Sequence, residues 1–188
     1  GDDDAQEGIS LFLVPAGSAG VNVQAYGLLA GGRAGEVQFE NVKVPATARL
    51  GSAGAAFDAI ETRIAAASVA QCAEALGAME TATHLTKDYL MTRKQFGRPI
   101  GTFQALAHRM ADLLIELEQA RSAVINAAGM VGTDQQAATL AASKVLMGRV
   151  GQLVAEEAIH MHGGIAMTQE YELAPLAQRI VLAGHRLG

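Results

Sequence analysis

From Ala55 to Lys94 the apolar residues Ile60, Ile64, Ala67, Leu76 and Met79 recur at helical spacings with no proline between them. That pattern predicts a first helix of roughly 40 residues, about 60 Å long. A second is predicted from about Thr102, a plausible N-cap, to Met130, where Phe103, Leu106, Met110, Leu113, Leu114, Leu117 and Val124 repeat at intervals of three, four and seven. Gly129 to Gly132 stops it. Thr133 and Asp134 open a third, whose face is marked by Leu140, Met147, Val150, Val154 and Met161 until His162, Gly163 and Gly164 end it; a shorter fourth runs from about Glu170 to Leu187. Short loops between long helices imply antiparallel neighbours. Before the helices the pattern is that of strands: Ile9 to Pro15, a stretch near Val21 to Tyr26, and Gly35 to Pro45, where Val37 and Phe39 alternate with Glu36, Gln38 and Glu40. Three strands with exposed edges make a poor independent sheet. The expected fold is therefore mainly α: an up-and-down four-helix bundle over residues 51–188, preceded by a short β remnant, residues 1–50, that reads as the end of a larger β domain.

Composition agrees with close-packed helices. Half of the 188 residues are apolar, only 4% are aromatic and there is no tryptophan, so the core falls to alanine, leucine, valine, isoleucine and methionine. A formal charge of −5 argues against general affinity for nucleic acid. The charge is uneven, however: four acids fall within Gly1 to Glu7, while Arg93, Lys94 and Arg98 cluster, so any phosphate binding is expected to be local. The single Cys72 lies inside a helical pattern, reads as a small buried apolar residue and excludes an intrachain disulfide framework. No apolar run reaches the roughly 18 residues of a membrane span, and no signal peptide is evident. A soluble cytoplasmic protein is expected.

Chemistry concentrates in the joint between the first two helices, Arg93-Lys94-Gln95-Phe96-Gly97-Arg98-Pro99-Ile100-Gly101-Thr102-Phe103-Gln104. Guanidinium groups there suit phosphate and an aromatic ring suits the face of a flat ligand, which together make part of a nucleotide or cofactor cradle. The other reading is a solvated turn in which Phe96 staples two helices. Gly163-Gly164, taken by itself, reads as a helix C-cap. His160 and His162, two apart, point to different helix faces, and His84, His108 and His185 are scattered, so no metal site is expected. Glu156 and Glu157 read as a solvated helix face.

Tyr89 to Gln104, with its Arg-Lys-Gln-Phe-Gly-Arg-Pro-Ile and Phe-Gln, and Ile159-His-Met-His-Gly-Gly-Ile-Ala-Met-Thr-Gln-Glu-Tyr171 resemble the two signature regions of the acyl-CoA dehydrogenase family. Val37 to Pro45 resembles that family's link from its middle β domain into its C-terminal helices, so the resemblance covers Ile9 to Gly188. It implies an FAD-dependent oxidoreductase of fatty acid metabolism that oxidises the Cα–Cβ bond of an acyl-CoA thioester. A carboxylate takes the α proton and the β hydrogen leaves as hydride to the flavin. It also implies that Arg93, Gln95 and Phe96 reach the FAD of a neighbouring subunit, with Gln104 close by, and that Gly163 and Gly164 meet the FAD pyrophosphate. His160 stands where the family usually has glutamine. A shared site implies a dimer or tetramer, with itself or with a related subunit.

The family's catalytic glutamate comes from one of two places, and neither holds a carboxylate here. Thr62 occupies the first, beside Arg63, and Leu187 the second, before Gly188. Glu61 is one residue away, rotated by about 100° on the helix, and is the candidate base; Arg63 is the candidate on the substrate side. The alternative is a non-catalytic structural or assembly subunit of a hetero-oligomeric acyl-CoA dehydrogenase.

Overall fold

The structure, a computed structural model, describes residues 6–28, 31–168 and 170–186. The chain divides into two compact units, Gly1–Ile64 and Ala65–Gly188. In the first, β1 (Leu11–Phe12) pairs antiparallel with β4 (Arg49–Leu50), and β2 (Val21–Gly27) pairs antiparallel with β3 (Arg33–Phe39). The β2–β3 register sets Val21 opposite Phe39 and Val23 opposite Val37, so apolar side chains share one face of the ladder. That face is uncovered: Val23, Val37 and Phe39 are all more than half exposed. The third strand is shorter than its alternation predicts. It ends at Phe39, shortly before Asn41 leaves the extended region at φ 52°, and Pro45 leads into a 3₁₀ turn over Ala46–Ala48.

Four α-helices dominate the rest: α1 (Phe57–Thr92), α2 (Gln104–Gly129), α3 (Gln136–His162) and α4 (Leu173–Gly184). The buried stripe on α1 is Ala65, Ser68, Cys72, Ala75, Leu76, Met79, Ala82, Thr83, Thr86 and Leu90, spaced mostly by three and four. Ile64, expected on that face, is 48% exposed, and the stripe starts one residue later. Leu113 and Leu117 from α2, Val150 and Val154 from α3, and Leu173 and Ile180 from α4 complete one core with Met79. Fully burying each such side chain is worth about 1.5–3 kcal/mol. Ala82, Ala120 and Ala158 are wholly buried and let the helices approach closely.

Ion pairs around the outside give the order of the helices. Arg121 on α2 reaches Glu80 on α1 (2.6 Å), Arg149 on α3 reaches Glu116 on α2 (2.6 Å), and Arg179 on α4 reaches Glu74 on α1 (2.7 Å). With α3 packed on α4, where Ile180 approaches Gly151, the four helices close a ring. Exposed pairs of this kind contribute about 0–1 kcal/mol each and serve register more than stability. Among the described residues no helix is long and apolar enough to cross a membrane.

Three helix boundaries differ from the sequence expectation. Thr102 does not cap α2; its hydroxyl donates to the Pro99 carbonyl (2.7 Å) within a 3₁₀ turn over Ile100–Thr102, and Phe103 holds the N-cap position. Thr133 likewise serves the preceding turn by donating to the Met130 carbonyl (2.8 Å), and α3 begins at Gln136. The fourth helix begins at Leu173, after a 3₁₀ turn over Gly163–Met167. Its predicted end at Leu187 lies outside the described residues.

Candidate functional site

The joint between α1 and α2 is a small β-hairpin. The Arg93 amide donates to the Tyr89 carbonyl (2.8 Å), finishing α1, and the Arg93 carbonyl then accepts from the Ile100 amide (2.8 Å) across the base of the hairpin. Between them β5 (Lys94–Gln95) pairs with β6 (Arg98–Pro99), and the two turn residues, Phe96 and Gly97, have φ of 53° and 79°. Positive φ at both positions is the signature of a type I′ turn, whose twist matches its strands. Glycine takes that conformation freely, whereas a bulky L-residue there costs about 1–2 kcal/mol. The Phe96 ring is nonetheless 90% exposed. Its edge meets Phe103 with ring centres 6.0 Å apart, and the Arg98 guanidinium carbon lies 4.1 Å from the centre of the Phe103 ring. Arg98 is thus occupied within the turn. Arg93, Gln95 and Gln104 are exposed, and among the described residues Arg93 enters no ion pair.

The end of α3 is equally specific. Gly163 has φ 68° and ψ −145°, close to a region open essentially only to glycine, and its amide donates to the carbonyls of His160 and Ile159. A Cβ added at Gly163 or Gly164 would meet nothing within 4 Å, so the surface above both glycines is open. His160 is exposed, with Nδ1 3.5 Å from the Arg109 guanidinium. Arg109 Nε also donates to Glu157 Oε2 (2.6 Å), so Glu157 is not merely a solvated carboxylate but ties α3 to α2. That hydrogen bond raises the Arg109 pKa still further above its ordinary value.

His162 is the buried member of the group. Its Nδ1–H donates to the Ala158 carbonyl (2.8 Å), which leaves Nε2 to accept from the Tyr171 hydroxyl (3.0 Å). Its ring stacks on Tyr89 of α1, centres 4.5 Å apart. Burial pushes the His162 pKa below its ordinary value, against the pull of the Ala158 and Leu85 carbonyls. Tyr89 lies four residues before Arg93, and His162 one before Gly163. This one stack therefore brings two sequence segments about seventy residues apart to the same end of the bundle, with Gln104 and Arg109 of α2 beside them.

Glu61 and Arg63 lie in the second turn of α1, within the first compact unit. Both are exposed, and among the described residues neither enters an ion pair. The neighbouring Thr62 hydroxyl donates to the Asp58 carbonyl of its own helix (2.8 Å). Leu187 lies outside the described residues. Sequence reasoning missed Arg109, Tyr89 and Tyr171 as partners; nothing in their local spacing marks contacts made across 48, 73 and 9 positions.

The sequence matches the family description "Acyl-CoA dehydrogenase, C-terminal domain" over residues 54–183. The chain belongs to the acyl-CoA dehydrogenase family. Among its relatives, the Acyl-CoA dehydrogenase IpdE2 of Mycobacterium tuberculosis is 44% identical over 108 residues, 57% of this chain and 32% of that protein. The Acyl-CoA dehydrogenase FadE27 of the same organism is 30% identical over 177 residues, 89% of this chain and 46% of that protein. The solved structure of PigA with FAD and proline superposes with a TM-score of 0.90 at 28% identity, over 99% of this chain and 50% of that one. The chain thus spans between a third and a half of the length of these relatives, and both segments that form the site fall inside the matched family region.

Proposed function

We propose that the chain carries the C-terminal portion of an FAD-dependent acyl-CoA dehydrogenase, which removes the α proton and the β hydrogen of an acyl-CoA thioester. Residues 1–50 are in this reading the end of the family's middle β domain and residues 51–188 its C-terminal bundle. The observation that carries the reading is the stack of Tyr89 on His162, which sets the Arg93–Gln104 hairpin and the His160–Gly164 turn at the same end of the bundle. PigA, similar over nearly all of this chain, is described with FAD bound.

The residues present fit a flavin nucleotide. Open space above Gly163 and Gly164 suits a close approach of backbone to phosphate, which any Cβ would fill. The Arg93 guanidinium, free of ion pairs among the described residues, offers a planar set of donors for the same charge. Phe96, held 90% exposed at positive φ, offers an apolar face to a flat ring from outside its own chain. Gln95, Gln104 and His160 add polar groups on the same side. Flavin, when bound, supplies the hydride acceptor for the reaction. A shallow groove lined by Leu114, Ile115 and Leu146 together with Glu118, Gln119 and Ser122 offers a mixed surface to a second subunit, which the outward ring of Phe96 would also suit.

One observation favours the second reading, an assembly subunit without its own chemistry. Thr62 turns its hydroxyl back onto its helix and the adjacent Glu61 is exposed, so neither offers a carboxylate in a dry, preorganised site. Visible absorption of the purified protein across a size-exclusion peak of known mass tests both. Flavin absorbance on a dimer or tetramer, bleached by an acyl-CoA, supports the dehydrogenase. Flavin that no acyl-CoA bleaches supports the assembly subunit, and an oligomer without flavin would mean that the rest of the β domain is needed to hold the cofactor.

A further inference from the structure

The segment after α3 has little to hold it in place. Gly163, Gly164, Ile165 and Met167 are exposed, and Ala166 supplies the one buried side chain of the 3₁₀ turn. Its two flanks are anchored instead. His162, 4% exposed, stands immediately before it, and Tyr171 packs against the core just beyond it. The Tyr171 hydroxyl donates to His162 Nε2 across the segment (3.0 Å), and the two ring centres lie 5.2 Å apart. The acceptor is fixed because Nδ1–H is already given to the Ala158 carbonyl. Stacking on Tyr89 fixes the plane of the ring as well.

We propose that the His162–Tyr171 hydrogen bond is a latch that fixes the Gly163–Gly164 turn in the conformation it presents to the phosphates of a nucleotide cofactor. His162 and Tyr171 are thus positioning residues; they touch no substrate and act through the two glycines. The proposal rests on the flavin reading above for the identity of the ligand, and on this chain's own contacts for the latch.

Two variants separate positioning from plain stability. Tyr171→Phe keeps the ring and removes the donor, leaving a buried Nε2 without a partner. His162→Phe together with Tyr171→Phe removes both partners of that bond at similar shape, and with them the Nδ1–H bond to the Ala158 carbonyl, so it restores only part of the stability that Tyr171→Phe loses. In the natural assembly stripped of flavin and titrated with FAD, Tyr171→Phe is expected to raise the dissociation constant about tenfold. The double variant is expected to regain part of the lost Tm while FAD still binds about tenfold more weakly, because the link across the turn is still absent. Recovery of FAD affinity together with Tm would reduce the pair to a packing contact, and wild-type affinity in Tyr171→Phe would likewise overturn the latch. If the wild-type assembly binds no FAD, the flavin reading fails, and amide hydrogen exchange over Gly164–Thr168 decides the latch. Exchange accelerated about tenfold in Tyr171→Phe and confined to that segment supports it; unchanged exchange overturns it.

Discussion

At the end of the bundle where Tyr89 stacks on His162, side chains from α1, α2 and α3 hold one another, and three backbone positions, Phe96, Gly97 and Gly163, are kept at positive φ. Glu61 and Arg63, in the second turn of α1, are exposed and enter no ion pair among the described residues. The chain organises by itself the end proposed to face the cofactor and leaves its candidate base unsupported. A ligand held by backbone and guanidinium groups needs only correct shape, which one helical unit supplies. A general base needs a dry surrounding and a partner for its proton, which exposed residues of one helix do not supply.

The comparison breaks most sharply at the glycines. Gly163→Ala forces a Cβ onto φ 68° and ψ −145° and is expected to lower stability by about 1–3 kcal/mol, read as a fall in Tm, and to lower FAD affinity with it. Gly164 has no positive φ and the same open space. Gly164→Ala should therefore leave stability within about 0.5 kcal/mol of wild type while FAD affinity still falls. Equal FAD binding by wild type and Gly164→Ala would remove the turn from the cofactor site.

Phe96 offers the opposite trade. Asparagine tolerates positive φ and Asn-Gly is a favoured type I′ pair, so Phe96→Asn is expected to stabilise the fold by up to about 1 kcal/mol in urea unfolding. Flavin retention of the oligomer should fall in the same variant. Stabilisation with full flavin retention would show that the exposed ring faces no ligand.

These two positions also show what the sequence disclosed. The helices were legible because Leu113, Leu117, Val150 and Val154 repeat with the period of the face they bury. The hairpin was read only as a turn broken by glycine and proline, since a phenylalanine hides the first position of a type I′ pair. Thr102 and Thr133 misled about helix starts because a threonine hydroxyl serves a preceding carbonyl as readily as a following amide. Both segments at the proposed cofactor end were visible as motifs, but the side chains that join them were not. Tyr89–His162 and Arg109–Glu157 are contacts of tertiary structure, and no local period encodes them.

A smaller effect is expected from pH. Burial lowers the pKa of His162 in the folded chain, so the unfolded chain binds the proton more readily. The stability owed to the neutral ring is fully present above about pH 6.5, the ordinary histidine value, and is lost as pH falls through that value towards the depressed one. Carboxylates titrate at the lower end of the same range, so the readout is a difference. Tm measured from pH 8 to pH 5 should fall more steeply for wild type than for His162→Phe. Parallel curves would show that the ring is already accessible to protons in the folded chain.

The smallest expected change tests the other half of the comparison. Glu61→Gln alters an exposed side chain without an ion pair, so stability should stay within about 0.5 kcal/mol. Turnover of an acyl-CoA by the flavin-loaded assembly should change by less than about tenfold, because a base one position out of register, about 100° around the helix, does not reach the α proton in line. Removal of a positioned general base costs about a hundredfold or more. A loss of that size would mean that Glu61 is brought into a dry site by contacts outside these two units, and the difference between the two regions would then be one of assembly rather than of chemistry.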